Sequence, residues 1–333
     1  MLGFFRGVLH PDRYHGRGKE PPFFEGWYYK VVDANEALRY AIIPGVFLSH
    51  DPERQHAFVQ VLDGRTGQSA YHRYPTGAFW AAKDDFEVRI GPNRFTACDL
   101  SLDLQGTELP MKGTLHFRSL NPWPVRLTSP GIMGWYAWVP FMETYHGVVS
   151  LDHGIEGSLK IAGQEVDFSG GRGYTEKDWG RSFPSAYVWF QSNHFGRPDI
   201  SLSASVAIIP WIGRSFPGFI VGLLYNGRLY RFATYSGAEI DNLHISDEEV
   251  GWSVSDRRYR LEMRARRTRG GLLQAPTASD MERRVAETLD ARVEVRLYER
   301  QDGLRPIFEG MGRHGGLEAS GDLERLVQMW RDT

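Results

Sequence analysis

The hydrophobic pattern is that of a β protein. Short runs of Val, Ile, Tyr, Phe and Trp, many of them alternating with polar residues, are separated by Gly, Pro, Asn and Asp. In the first half this reading predicts strands over 27–32, 40–48, 56–63, 85–90, 94–97, 100–104, 113–119, 147–151, 155–161 and 164–170. In the second half it predicts 187–194, 200–208, 219–225, 228–236, 251–255, 259–266 and 291–299. Asp63-Gly64 and Asn226-Gly227 are hairpin signals, because these residues accept positive φ. Tyr259, Leu261, Met263 and Ala265 alternate with Arg258, Arg260, Arg264 and Arg266, the mark of a half-buried strand with a solvated basic face. Helical signals are confined to 277–291, with its acidic first turn, and 321–331, where Leu323, Leu326, Val327 and Trp330 share one side. Many short strands with so little helix predict an all-β barrel or sandwich architecture.

A chain of 333 residues exceeds one small core and suggests two domains or one large β domain. Two successive β domains, 1–184 and 185–333, fit the length best. The net charge of -2 gives no case for nucleic acid as a partner. A lone cysteine, Cys98, rules out an internal disulfide and fits a reducing compartment. The N-terminus lacks the continuous apolar stretch of a signal peptide, and no apolar run approaches the roughly 20 residues that span a bilayer. The expected location is therefore cytoplasmic. Leu2, Phe4, Phe5 and Leu9 offer either a transient, peripheral membrane contact or a strap across a barrel, the second being preferred. Aromatic residues make up 13% of the chain, and seven of the ten tryptophans precede residue 190, which places a ligand pocket in the first half. Such residues also fill cores, so the skew alone does not fix a function.

The richest chemistry lies at Gly170-Gly171-Arg172-Gly173-Tyr174-Thr175-Glu176-Lys177-Asp178-Trp179-Gly180. Extended backbone sends residues i, i+2 and i+4 to one face, so Tyr174, Glu176 and Asp178 point together, with Trp179 adjacent. An acid pair walled by aromatics suits proton chemistry in an apolar pocket. The alternative for Glu176 is an ion pair with Lys177 or Arg181 at a barrel rim. Glu25 is a second candidate acid, or a buried partner of Lys30. Glu143 and His146 flank Tyr145 and face one way less neatly. His146, Asp152 and His153 match no zinc spacing, so no metal is expected. No nucleophile elbow and no glycine-rich phosphate loop is present, which argues against an acyl hydrolase and a nucleotide cofactor.

Several blocks resemble the tocopherol cyclase-like family. Pro21-Pro22-Phe23-Phe24-Glu25-Gly26-Trp27-Tyr28-Tyr29-Lys30 is similar to the family's opening FFEGWYFK. The stretch from Gly173 through Trp179 to Pro184 resembles YxEKNWGxxFP and runs on into Trp189-Phe190-Gln191-Ser192-Asn193-His194-Phe195, similar to WxQxNxF. The segment from Gly134 through Trp135 and Trp138 to Glu143 resembles the family's stretch ending in an aromatic residue and a glutamate. The resemblance spans residues ~21–195, with the blocks in the family's order. It implies two consecutive lipocalin-like, calycin-type β-barrels with one or two minor helices, related to carotenoid hydratases.

The implied activity is cofactor-free, intramolecular cyclisation of a prenylated quinol to a chromanol. The resemblance assigns the alkene-protonating acid to Glu176, with Asp178 sharing its proton or setting its pKa and Tyr174 orienting the acid or the quinol. Trp27, Trp135, Trp138 and Trp179, with Glu25 and Glu143, are the expected substrate-binding residues, their ring faces stabilising a cation. Asp178 departs from the family's Asn. With no plastid leader in the sequence, a bacterial source is expected. A non-catalytic lipocalin-like carrier of a hydrophobic ligand, and a hydratase or cyclase of another isoprenoid, are the competing readings. The carrier reading turns on whether a buried, protonatable acid meets the ligand's double bond.

Overall fold

A computed structural model describes residues 2–106, 108–281, 283–301 and 303–332. The chain divides into two compact units, Met1–Phe183 with Gly271–Arg284, and Pro184–Gly270 with Val285–Thr333. Each is built on one large antiparallel sheet.

The first unit begins with a helix the hydrophobic pattern did not predict, α1 (Leu2–Val8). Its strands follow as β1 (Phe23–Val32), β2 (Arg39–Leu48), β3 (His56–Asp63), β4 (Ser69–Tyr74), β5 (Phe79–Ala81), β6 (Glu87–Ile90), β7 (Asn93–Thr96), β8 (Asp99–Leu104) and β9 (Met111–Arg118). A two-residue hairpin pair, β10 (Val125–Arg126) and β11 (Ser129–Pro130), and a 3₁₀ turn, Gly134–Trp138, precede β12 (Thr144–Ile161), β13 (Gln164–Asp167) and β14 (Arg172–Gly180). The sheet runs β4-β3-β2-β1-β14-β12-β9-β8-β7-β6-β5. β3 also lies against β6, so the sheet curls round its own core. Alternate residues of β1 (Trp27, Tyr29, Val31) meet Ile42, Val59, Val61, Phe95, Leu100, Leu115 and Phe117 inside it. β1 is buried on both faces, however. Its second face carries Tyr28 and Lys30, and the chemistry described below lies on that side.

The second unit contains β15 (Ala186–Ser192), β16 (Ser201–Trp211), β17 (Arg214–Tyr225), β18 (Arg228–Ala233), β19 (Glu239–Ile245), β20 (Glu249–Ser255) and β21 (Tyr259–Arg266). The chain then gives β22 (Gly271–Ala275) to the first unit, where it lies against β3 and β4. It returns through β23 (Arg283–Glu299), β24 (Arg305–Gly321) and α2 (Leu323–Arg331). The second sheet runs β18-β17-β16-β15-β24-β23-β21-β20-β19 around Val188, Phe190, Leu202, Val221, Trp252, Leu261, Val293 and Val295. In β21 the predicted alternation holds, with Leu261, Met263 and Ala265 buried and Arg264 and Arg266 exposed. α2 begins at Asp322, whose carboxylate accepts the Arg325 amide.

One predicted helix is absent among the described residues: 277–281 form a turn and 283–291 are the start of β23, residue 282 lying outside the described residues. Val285, Leu289, Ala291, Val293, Val295 and Leu297 are buried at every second position once Glu287 is included among them. Pairing with β21 and β24 buries that period-two face, which outweighs the local acidic, helix-like signal. Among the described residues no helix is long and apolar enough to cross a membrane.

Candidate active site on the central strand of the first unit

β14 lies between β1 and β12, and its alternating side chains build two distinct clusters. On one face the register sets Tyr28 of β1 opposite Glu176, and Lys30 opposite Tyr174. From β12 it sets His146 opposite Asp178 and Val148 opposite Glu176. Tyr174, Glu176 and Asp178 therefore share a face. The Tyr174 hydroxyl donates to Glu176 Oε2. His146 lies between the two carboxylates: Nδ1 donates to Asp178 Oδ1 at 2.8 Å, and Nε2 stands 3.4 Å from Glu176 Oε2, within ion-pair range. Tyr174 is fully buried and Glu176 is 4% exposed, whereas Asp178 is half-buried. Burial alone would lower the His146 pKa. The Asp178 and Glu176 charges outweigh it and push the value up to about 9, so this imidazole is cationic at neutral pH. The result is a line, Asp178⁻–His146⁺–Glu176–Tyr174, half-buried at Asp178 and His146 and buried at Glu176 and Tyr174. Sequence reasoning set His146 with Glu143 beside Tyr145 and not with the acids, since only the β12–β14 register brings it to them.

The other face of β14 points into the core. Lys177 is fully buried and donates to Glu25 and, at 2.5 Å, to the Arg13 carbonyl. Its ammonium stands 4.5 Å from the Trp27 ring centre and 4.7 Å from that of Trp179. Glu25 also accepts the His15 amide at 2.8 Å. The His15 ring stacks on Trp179 at 4.2 Å. Lys177 Nζ lies 3.2 Å from His15 Nδ1, and an ammonium can only donate. Nδ1 is thus the acceptor, and Nε2–H donates to the Gly7 carbonyl at 3.2 Å. Burial, then the Lys177 charge, lowers the His15 pKa in agreement with this neutral tautomer. For Glu25, burial acts upward, but the Lys177 charge holds the carboxyl below its usual range. Glu25 and Lys177 form a buried ion pair that ties the 10–16 segment to β1 and β14.

The expected site residues therefore do not form one pocket. Tyr174, Glu176 and Asp178 come together. Glu25, Trp27 and Trp179 gather on the opposite face, because neighbouring residues of a strand point to opposite sides. The same rule keeps Lys177 from pairing with Glu176. Trp135 is exposed and Trp138 half-buried in the 3₁₀ turn, where the Trp138 ring packs 5.7 Å from Phe5. Glu143 accepts from the Ser182 hydroxyl at 2.9 Å, and burial raises its pKa.

His153 stands apart from both clusters. It is buried, packs 4.5 Å from the Phe117 ring, and neither ring nitrogen has a hydrogen-bond partner among the described residues. Burial first, and the Arg172 charge second, push its pKa down to about 3. Its Nε2 lies 2.3 Å from where a Cβ of residue 173 would stand, so Gly173 is what admits the ring. Asp152 is not its partner; that carboxylate holds Arg172 at 2.7 Å.

Donor atoms of His146, Glu176 and Asp178 lie within 4.8 Å of one another. Ligands sharing a tetrahedral ion with 2.0–2.1 Å bonds would stand about 3.3 Å apart and use one imidazole nitrogen. Here the carboxylates flank opposite nitrogens, and the 2.8 Å contact is a hydrogen bond. The geometry suits a proton better than a shared metal ion.

A family model described as tocopherol cyclase-like matches residues 114–321. A probable chloroplastic tocopherol cyclase of Oryza sativa subsp. japonica is 22% identical over an alignment of 277 residues, covering 67% of this chain and 58% of the relative. The chloroplastic tocopherol cyclase of Zea mays is 23% identical over 279 residues, with the same shares covered. The chain thus spans about 58% of the length of these curated relatives. Among solved structures, that of CghA with Sch210972 superposes with a TM-score of 0.54 at 12% identity, covering 91% of this chain and 89% of that one. At that identity the likeness is one of fold.

Proposed function

The chain belongs to the tocopherol cyclase-like family, and we propose that it is an acid-catalysed cyclase of a hydrophobic prenylated substrate, a prenylated quinol being the substrate class the relatives suggest. The observation that carries this reading is the line Asp178–His146–Glu176–Tyr174, which ends on a buried acid and a buried tyrosine.

Cyclisation of a prenyl chain onto a phenol needs a proton delivered to the alkene and a phenol oxygen to capture the tertiary cation. Glu176 is the donor when it carries the proton, and of the two flanking acids only Asp178 then supplies the charge that holds His146 cationic. As the proton leaves, negative charge develops on the carboxylate, and the cationic ring of His146 stands 3.4 Å from Oε2 to receive it. Asp178 balances that cation on its far side, so the pair acts as a fixed dipole with its positive end toward Glu176. The Tyr174 hydroxyl supplies a second donor to the same oxygen. When the phenol oxygen closes the ring, its proton returns to Glu176. Substrate and product are isomers, the acid is regenerated, and no redox or group-transfer cofactor enters the balance.

The test is incubation with a panel of prenylated quinols, followed by chromatography and mass spectrometry. Loss of the alkene without a mass change is the expected result, and Glu176→Gln should slow it by roughly 100-fold or more while leaving the circular dichroism spectrum unchanged. A product heavier by one water would make the enzyme a hydratase. Tight binding without turnover would make the protein a carrier, and full activity of the variant would remove Glu176 from the donor role.

A further inference from the structure

Five of the ten large apolar side chains exposed among the described residues lie in two short segments of the first unit: Phe5, Val125, Leu127, Trp135 and Phe141. Scattered exposed apolar residues are ordinary, but clustered ones mark an interaction surface. These are joined. α1 lies against the 3₁₀ turn Gly134–Trp138, and Phe5 meets Trp138 at 5.7 Å. Trp138 Nε1 donates to the Leu127 carbonyl at 3.0 Å, which braces the β10–β11 hairpin on the same turn. At the hairpin tip Leu127 is 70% exposed, and Phe141, just past the turn, is 60% exposed.

Charge narrows the choice of partner. Residues 1–9 and 121–141 contain two charged residues, Arg6 and Arg126, and no carboxylate. A second copy docked on this surface would offer Arg126 no acid from either segment to meet it. An anionic bilayer meets every feature at once. Tryptophan and phenylalanine favour the boundary between headgroups and acyl chains, and arginine is drawn to lipid phosphate.

We propose that this end of the first unit docks on the surface of an anionic phospholipid bilayer, with Phe5, Leu127, Trp135 and Phe141 entering the headgroup boundary and Arg126 meeting phosphates. The contact is peripheral. Its use to the protein rests on the reading above, because a prenylated substrate resides in such a bilayer, but the docking itself is measured without substrate.

The experiment is co-sedimentation with phosphatidylcholine vesicles, with and without a minority of phosphatidylglycerol, together with quenching of tryptophan emission by brominated acyl chains. The parent protein should bind the anionic vesicles and be quenched. The triple variant Phe5→Ser, Leu127→Ser, Phe141→Ser should partition about tenfold more weakly or worse, since binding scales with buried apolar area. Arg126→Glu should weaken binding to anionic vesicles alone. Failure of the parent to bind anionic vesicles overturns the proposal, and so does a parent dimer that the triple variant dissociates while vesicle binding is absent. Vesicle binding without turnover of any quinol upholds the docking and leaves the cyclase reading to fail alone. Turnover of detergent-solubilised substrate without vesicle binding does the reverse.

Discussion

His153 should make the native state sensitive to mild acid, and replacing it should remove that sensitivity. The ring is buried with both nitrogens unpaired and a cationic Arg172 nearby, so its protonated form is disfavoured in the folded protein. Its native pKa is about 3 against an ordinary 6.5. The unfolded chain therefore takes up a proton below pH 6.5 that the native state refuses until about 3. Stability from this group is intact above 6.5 and is lost progressively as pH falls toward 3. At pH 5 the loss is RT ln(1 + 10^1.5), about 2 kcal/mol, and at pH 7.5 it is negligible.

The perturbation is His153→Phe. The variant carries a packing change of its own, because the ring sits tightly over Gly173, but that change is the same at both pH values. Urea unfolding of parent and variant at pH 7.5 and pH 5, followed by circular dichroism and by hydrogen exchange at β12 amides, gives the difference at each pH. That difference should move by about 2 kcal/mol in the variant's favour on going to pH 5. A difference that stays constant within about 0.5 kcal/mol, or an imidazole NMR titration of His153 centred near its ordinary value, would refute the reasoning.

Four further outcomes follow from the same geometry. Lys177→Met strands the Glu25 carboxylate in the core and should cost about 3–5 kcal/mol by denaturant unfolding, while the double variant with Glu25→Gln should recover most of it. His146, raised to about 9 from 6.5, contributes stability that is present below pH 6.5 and lost as pH rises through 9. His146→Gln should therefore be less stable than the parent by on the order of 3 kcal/mol at pH 6, and the gap should close by pH 9.5. Asp178→Asn removes one of the charges holding that imidazole cationic, so the His146 imidazole titration followed by NMR should move to lower pH, and an unmoved titration would remove Asp178 from that role. Gly45→Ala would set a Cβ 2.4 Å from the Phe58 ring and 2.8 Å from the Glu25 carbonyl, and should lower thermal stability by about 1–3 kcal/mol or more.

What could be read from the chain, and what could not, divides by the range of the interactions that decide it. Runs such as 56–63, with apolar residues dense enough to be buried on both faces, announce themselves locally. β24 does not. Its sequence, Arg305–Gly321, is rich in glycine and carries no apolar period, yet it lies between β15 and β23 in the second sheet. Added Cβ atoms would stand 2.8 Å from Ser192 Oγ at Gly312 and 2.7 Å from the Trp189 ring at Gly316. The signal for this strand is thus stored in its neighbours' side chains, and a reading of hydrophobic periodicity passes over it. The lost helix at 277–291 is the converse case, a local acidic pattern overridden by pairing partners far along the chain.

The site follows the same rule. Period-two geometry sufficed to put Tyr174, Glu176 and Asp178 on one face, because it needs only the strand itself. The same period turns Trp179 and Lys177 to the other face, away from the acids. In the proposed mechanism the deciding group is His146, and its place between the two carboxylates depends on a β12–β14 register that pairs residues 32 apart in sequence. An aspartate at 178 is then no surplus acid. It is the counter-charge that keeps an imidazolium pointed at Glu176, and a neutral amide at that position would leave the same acid beside a ring with one fewer reason to be charged.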